Sequence, residues 1–167
     1  MSKKRIASFD VDQTLLDHKT YQIPESALRA VNELRKDFYI VLSTGRDMDN
    51  YYSKQYRDVI QPDAVIHLNG TKITVGGELI YEHEMDRTLL KEILDYADKA
   101  GYALGVTIGN EDYYLHPEVV EETDRLRWGR SERRFKDPRS LLDQGVRTLA
   151  YIGKEDGAME MEKRFPQ

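Results

Sequence analysis

Asp10 and Asp12 stand two residues apart at the end of a short apolar run, residues 6–9, and Thr14, Leu15, Leu16 and Asp17 follow. On an extended strand end, side chains alternate with period two, so both carboxylates leave on the same side. Like charges held that close repel unless a cation lies between them or one carboxyl keeps a proton. Their hard oxygens are what Mg²⁺ takes, usually with substrate phosphate and water completing the octahedron. A carboxylate can also attack phosphorus and form an aspartyl-phosphate, while its neighbour handles the proton of the leaving oxygen and later activates water. Taken alone, an Asp-x-Asp pair is more often a solvated turn. Here it ends an apolar strand and is followed by Thr and two leucines, which a solvated turn does not need.

A second polar knot is Ser43-Thr44-Gly45-Arg46. A hydroxyl and exposed backbone N–H groups ahead of a helix suit a phosphate oxygen, and Gly45 lets the backbone come close. The plainer reading is a helix cap by Ser43 or Thr44. Arg46 either clamps an anionic substrate or pairs with a surface acid. The third knot, Asn69-Gly70, is a turn signal by itself and gains weight only from where it falls.

The elements around these knots set that place. Residues 6–9 read as a buried strand. Pro24 suits the first turn of a helix whose stripe is Ala27, Leu28, Val31 and Leu34, with Glu25, Arg29, Glu33 and Arg35 outward. Residues 38–42 form a second strand, 47–56 a helix and 64–68 a third strand. Strand, helix, strand, helix, strand predicts an α/β fold, a parallel sheet with crossover helices. Ligands of such sheets bind beyond the carboxyl ends of the strands, where all three knots lie.

Beyond residue 70 the pattern changes to a mixed α+β unit. Residues 71–75 and 79–82 read as a hairpin around Gly76-Gly77, a tight turn or a hinge. A helix follows with Leu89, Leu90, Ile93, Leu94 and Ala97 inward and Gly101 as its C-terminal cap. Strands are expected at 102–108, 113–115 and 146–152, and helices at 117–126 and 156–165. The expected division is 1–84 and 85–167.

The remaining chemistry-bearing residues read as structural. His18, His67, His83 and His116 show no metal-ligand spacing. Tyr113 and Tyr114 are packing residues or line a cleft. The arginine-dense stretch 125–136 reads as a solvated helix face or loop, because Glu132 interrupts it. With no cysteine, a disulfide scaffold, a thiolate zinc site and a cysteine nucleophile are excluded. A net charge of -5 gives no reason to expect nucleic acid or an anionic membrane as partner. No apolar run is long enough for a signal peptide or a membrane span, so a cytoplasmic, soluble protein is expected.

Asp10-Val11-Asp12-Gln13-Thr14-Leu15, residues 40–44 with their Thr-Gly-Arg ending, and Asn69-Gly70 together resemble the haloacid dehalogenase superfamily, and within it the Cof-type sugar-phosphatase-like group. Gln13 stands where that group usually has Gly. The resemblance covers the core to about residue 84 and continues more weakly through an α/β cap. It implies Asp10 as nucleophile and metal ligand. Asp12 would be general acid/base and bind Mg²⁺ through its backbone carbonyl. Thr44 and Gly45 would hold the phosphoryl group, and Arg46 and Asn69 would lie near a small phosphorylated substrate enclosed at the core–cap boundary.

The family's later lysine and acidic metal loop have no counterpart before Gln167, and Lys154-Glu155-Asp156-Gly157 reads as a turn before the last helix. A truncated form is therefore expected, with the edge of the first strand left open for a partner such as a second copy. The leading expectation is Mg²⁺-dependent hydrolysis of a phosphomonoester, with phosphomutase chemistry close by. The alternative is a non-catalytic fragment or pseudoenzyme that binds a phosphometabolite or a protein. A nucleotide- or acyl-binding module has no glycine-rich phosphate loop behind it.

Overall fold

The computed structural model describes residues 4–166. They form two compact units that divide between His83 and Glu84.

The first unit holds β1 (Arg5–Phe9), α1 (Glu25–Leu34), β2 (Phe38–Ser43), α2 (Lys54–Ile60), β3 (Ala64–His67), β4 (Lys72–Val75) and β5 (Glu78–Glu82). One sheet carries all five strands in the order β1-β2-β3-β4-β5. The first three run parallel, and β4 and β5 are added antiparallel. Both crossovers move the same way along the sheet, so right-handed connections put α1 and α2 on one face. That face holds the core: Ile40, Leu42 and Val65 from the strands, Val31 from α1, and Tyr56 and Ile60 from α2. The hairpin turn at Gly76-Gly77 has both residues at positive φ, 57° and 84°, the left-handed pair that a two-residue turn between twisted strands requires.

Three expectations change here. First, β1 is not buried: it lies at the sheet edge, open as the resemblance implied, and Ile6 is 68% exposed. An apolar run marks a strand without saying how many neighbours it has. Second, Pro24 precedes α1 as its cap residue instead of entering the first turn. Third, the helix expected at 47–56 starts only at Lys54. The backbone N–H of Asp49 is taken by Asp47 Oδ1 (3.1 Å), that of Ser53 by Asn50 Oδ1 (3.0 Å) and that of Met48 by His67 Nδ1 (3.0 Å). With Asn50 N–H on the Asp47 carbonyl and Ser53 N–H also on that of Asn50, these bonds hold the segment in short turns ahead of the helix. Tyr39 on β2 is half exposed beside Ile6, so the sheet face away from the helices is partly bare.

The second unit holds α3 (Arg87–Ala100), β6 (Ala103–Ile108), β7 (Glu111–Tyr114), α4 (Pro117–Trp128), β8 (Phe135–Lys136), β9 (Ala150–Ile152) and α5 (Glu155–Arg164). Its sheet has the order β8-β7-β6-β9. Asp86 caps α3 by accepting from the N–H groups of Thr88 and Leu89, and Gly101 closes it at φ 71°, a conformation that costs glycine least. Leu90, Ile93, Leu94 and Ala97 pack with Leu104 and Tyr113 on one side of the sheet. Val120 of α4 packs with Ala103 and Tyr114 on the other.

Here too the sequence reading needs correction. Tyr113 and Tyr114 are both core residues, and Tyr114 also lines an open cleft with His116, Pro117, Phe135 and Arg139. The strand expected at 146–152 shortens to β9, because the Val146 carbonyl accepts from Met85 N–H (2.7 Å) instead of joining the sheet. Arg133, expected on a solvated surface, is an interior cation. It reaches Asp112 Oδ1 (3.1 Å) and Asp124 Oδ2 (2.9 Å), two carboxylates that are almost completely buried. Among the described residues no helix is long and apolar enough to cross a membrane.

Candidate active site

The carboxyl ends of β1, β2 and β3 are adjacent, because the strands are parallel and in register: Phe9 pairs with Leu42, and Ser43 with Ile66. Each strand delivers its polar knot to the same end of the sheet. Backbone hydrogen bonds then join the knots. Thr44 N–H donates to Ile66 O (3.0 Å), Asn69 N–H to Thr44 O (3.2 Å) and Leu68 N–H to Arg46 O (3.2 Å). Asn69 adopts φ 56°, and its amide lies over Gly45. A Cβ on Gly45 would stand 3.1 Å from Asn69 Oδ1. The close approach made possible by Gly45 is therefore to Asn69, which couples the second and third knots.

The first knot is a tight turn. The Val11 carbonyl receives N–H groups from Thr14 (3.4 Å), Leu15 (3.1 Å) and Leu16 (2.8 Å). Val11, Leu15 and Leu16 are buried, which turns Asp10 and Asp12 the other way. The turn needs a left-handed residue, and Gln13 supplies it at φ 61°. Gly is the residue that adopts such an angle without strain, and this explains the usual glycine at that place in the pattern.

Asp10 is exposed. Among the described residues no side chain pairs with its carboxylate. Asp12 is the opposite case. The Arg46 guanidinium grips it in a fork, Nε to Oδ2 and Nη2 to Oδ1, each at 2.7 Å. His18 Nε2 stands 3.2 Å from Asp12 Oδ1 as well. Hydrogen bonding from Arg46 holds the Asp12 carboxyl below the usual carboxylate range, against the opposing effect of burial, and His18 adds to it. The same fork raises the Arg46 pKa, again against burial, with lesser help from Tyr56 and Asp10. Arg46 is further steadied by Tyr56, whose ring centroid lies 5.5 Å from the guanidinium carbon. Thr44 is buried. Its Oγ1 accepts from Arg46 N–H (3.2 Å), so its own O–H remains available to a phosphate oxygen.

Sequence reasoning brought Asp10, Asp12, Thr44, Gly45, Arg46 and Asn69 to this end of the sheet, and the structure brings them there. Two histidines stand beside these residues. His18, read as structural, touches Asp12; a histidine six residues past the pair in a tight loop was the available signal. His67, also read as structural, is fully buried behind the Arg46 loop.

Asp47, Asp49 and His67 bring one donor atom each within 4.8 Å of one another, a grouping that could hold a metal ion. Its negative charge is already balanced. Lys72 Nζ lies 3.0 Å from Asp47 Oδ1 and 2.6 Å from Asp49 Oδ2, and Arg57 also pairs with Asp49. An imidazole nitrogen beside a resident ammonium does not suit Mg²⁺, which prefers oxygen.

Solved structures share the fold over almost the whole chain. One is a phosphatase of the haloalkanoate dehalogenase enzyme superfamily from Bacteroides thetaiotaomicron, with TM-score 0.80 and 19% identity over 96% of this chain and 60% of its own. Another is a sugar phosphatase of haloacid dehalogenase subclass IIB, with TM-score 0.75 and 23% identity over 98% of this chain and 64% of its own. A Thermotoga maritima protein gives TM-score 0.71 and 19% identity over 97% of this chain and 61% of its own. At such identities the likeness is one of fold, here the Rossmann-like α/β fold of the superfamily. The chain spans 60–64% of the length of these three. No curated protein matches the sequence. The family model for haloacid dehalogenase-like hydrolases matches residues 7–167, and the chain belongs to that family.

Proposed function

We propose that this chain hydrolyses a phosphomonoester, a small phosphorylated metabolite such as a sugar phosphate, in the manner of the Cof-type group. One observation carries the reading. Asp10, exposed and unpaired among the described residues, shares a sheet end with Thr44, Gly45, Arg46 and Asn69. In this mechanism an Asp10 oxygen attacks phosphorus, the bond from phosphorus to the leaving oxygen breaks, and an aspartyl-phosphate remains. Thr44 donates its hydroxyl to a phosphoryl oxygen. An anionic substrate gives Arg46 a competing partner; the freed Asp12 carboxylate takes the proton of the substrate's phosphate monoanion, passes it to the leaving oxygen and is a carboxylate again before water enters. Water then attacks the aspartyl-phosphate, Asp12 takes its proton, and inorganic phosphate leaves with Asp10 restored.

The donor set fits Mg²⁺. Asp10 offers a free carboxylate, whereas Asp12, its carboxylate held by Arg46, is left to contribute its backbone carbonyl. One or two such protein oxygens plus phosphate and water are what this ion commonly takes. When bound it would supply charge neutralisation at the phosphoryl group. The second unit is proposed as the cap, and a second copy of the chain as the partner for the open edge of β1.

A second reading is favoured by the fork itself. With Asp12 committed to Arg46, the chain would bind a phosphometabolite or a protein without turning it over. Mg²⁺ titration by calorimetry together with a phosphatase assay separates the two. Metal binding with turnover supports the hydrolase. Millimolar or weaker binding without turnover from folded protein supports the binder.

A further inference from the structure

His67 ends β3 with no solvent exposure, and its ring joins two elements. Nδ1 accepts the backbone N–H of Met48 at 3.0 Å, and Nε2 lies 3.0 Å from Thr74 Oγ1 on β4. A neutral imidazole has one N–H. With Nδ1 accepting, the proton is on Nε2 and goes to the Thr74 hydroxyl. Asp47 Oδ1 stands 3.3 Å from Nδ1 and is the competing partner there: a proton on Nδ1 would go to it, and against the opposing effect of burial, contact with His67 helps to lower the Asp47 pKa. Lys72 Nζ, 3.0 Å from that same oxygen, makes the Nε2–H form tolerable by neutralising Asp47.

Met48 is two residues past Arg46 and fully buried. The segment between Thr44 and Ser53 has no helical ladder, so its shape depends on what holds its amides. On one flank of Arg46, the ring of His67 holds Met48 N–H. On the other, the two residues after His67 hold the carbonyls of Arg46 and Thr44 through the N–H groups of Leu68 and Asn69. All of these ties originate at the end of β3. Arg46 in turn places Asp12 through a fork whose two bonds tolerate little rotation.

We infer that His67, as the neutral Nε2–H tautomer, is a positioning residue that sets the Arg46–Asp12 fork through the Met48 amide. The inference rests on the reading of that fork as part of the active site. A buried histidine that merely fills the core would affect stability and leave the fork alone.

The test begins with the unaltered protein. Nitrogen-15 NMR of the His67 ring should show the proton on Nε2; a proton on Nδ1, donated to Asp47, overturns the inference. Next come His67→Phe, which keeps a ring and removes both polar atoms, and His67→Asn, whose Oδ1 falls where Nδ1 was. The Arg46 Nε–H resonance reports the fork without any substrate. It should shift in His67→Phe and return in His67→Asn; an unchanged signal in folded His67→Phe overturns the inference. On a phosphomonoester, His67→Phe should lower kcat/KM on the order of 10–100-fold, the scale of a small misplacement. In an Arg46→Met background the same change should cost less than about twofold, since the two act as one unit. Additive losses would mark His67 as a core residue only. Because the NMR readouts need no turnover, an inactive protein would count against the proposed activity and not against this role.

Discussion

Arg46 and Asp12 lie 34 positions apart in the chain and meet in a two-bond fork, Nε–Oδ2 and Nη2–Oδ1, each 2.7 Å long. The fork has a consequence for pH. Asp12 titrates lower in the folded chain than in the unfolded one, chiefly through hydrogen bonding by Arg46. Its contribution to stability is therefore complete above the ordinary carboxylate pKa, about 3.9, and disappears as pH falls through the lower folded value. Arg46→Met should lower the urea midpoint at neutral pH, and the gap to the parent should close on acidification below about pH 4. A gap that stays constant with pH would show that the fork does not set the Asp12 titration.

The turn at Gln13 carries a backbone cost. At φ 61° an L side chain gives up about 1–2 kcal/mol, while glycine gives up some entropy instead. Gln13→Gly should raise stability by up to about 1 kcal/mol. Gln13→Val, branched at Cβ, should lower it by about 1–2 kcal/mol. Chemical denaturation with equal m-values decides the matter; a stabilising valine would contradict the account.

Arg133 is the cation of a buried trio with Asp112 and Asp124. Removing one partner leaves uncompensated charge in the interior, at a cost of about 3–5 kcal/mol. Arg133→Met should therefore unfold at clearly lower urea concentration, and Arg133→Lys should recover part of the loss. A neutral Arg133→Met would mean that the two carboxylates find water or protons readily.

The outer edge of β1 carries no strand among the described residues, and Ile6 and Tyr39 are exposed beside it. Exposed apolar edges pair unless charged residues deter them. Light scattering should show self-association that grows with concentration and weakens in Ile6→Lys. A parent that stays monomeric at high concentration would remove the second copy from the proposal.

How much of this could be read from sequence follows the range of the interactions. The strand ends at Asp10, Thr44 and Asn69 follow from local runs, because an apolar segment that stops at polar residues is a strand that reaches the sheet end. The open edge of β1 was legible only through the resemblance and its missing later motifs; residues 6–9 by themselves read as a buried strand. The helix expected at 47–56 gives way to short turns, in which the amides of Met48, Asp49 and Ser53 are held by side chains of the distant His67, of Asp47 and of Asn50. Arg46 was recognised as an anion partner. That its anion is Asp12 depends on a contact across 34 residues, which no local pattern reveals. Arg133 was misread for the same reason: its acids lie 21 and 9 residues away.

The central claim is that Asp10 attacks phosphorus, and hydrolysis of p-nitrophenyl phosphate by the 167-residue chain tests it most directly. The parent and Asp10→Asn would be assayed side by side, with and without Mg²⁺, after both are shown to be folded. The account predicts metal-dependent release of p-nitrophenol from the parent and none above background from Asp10→Asn. Turnover that survives in Asp10→Asn, or a folded parent that releases nothing with Mg²⁺ present, would contradict it.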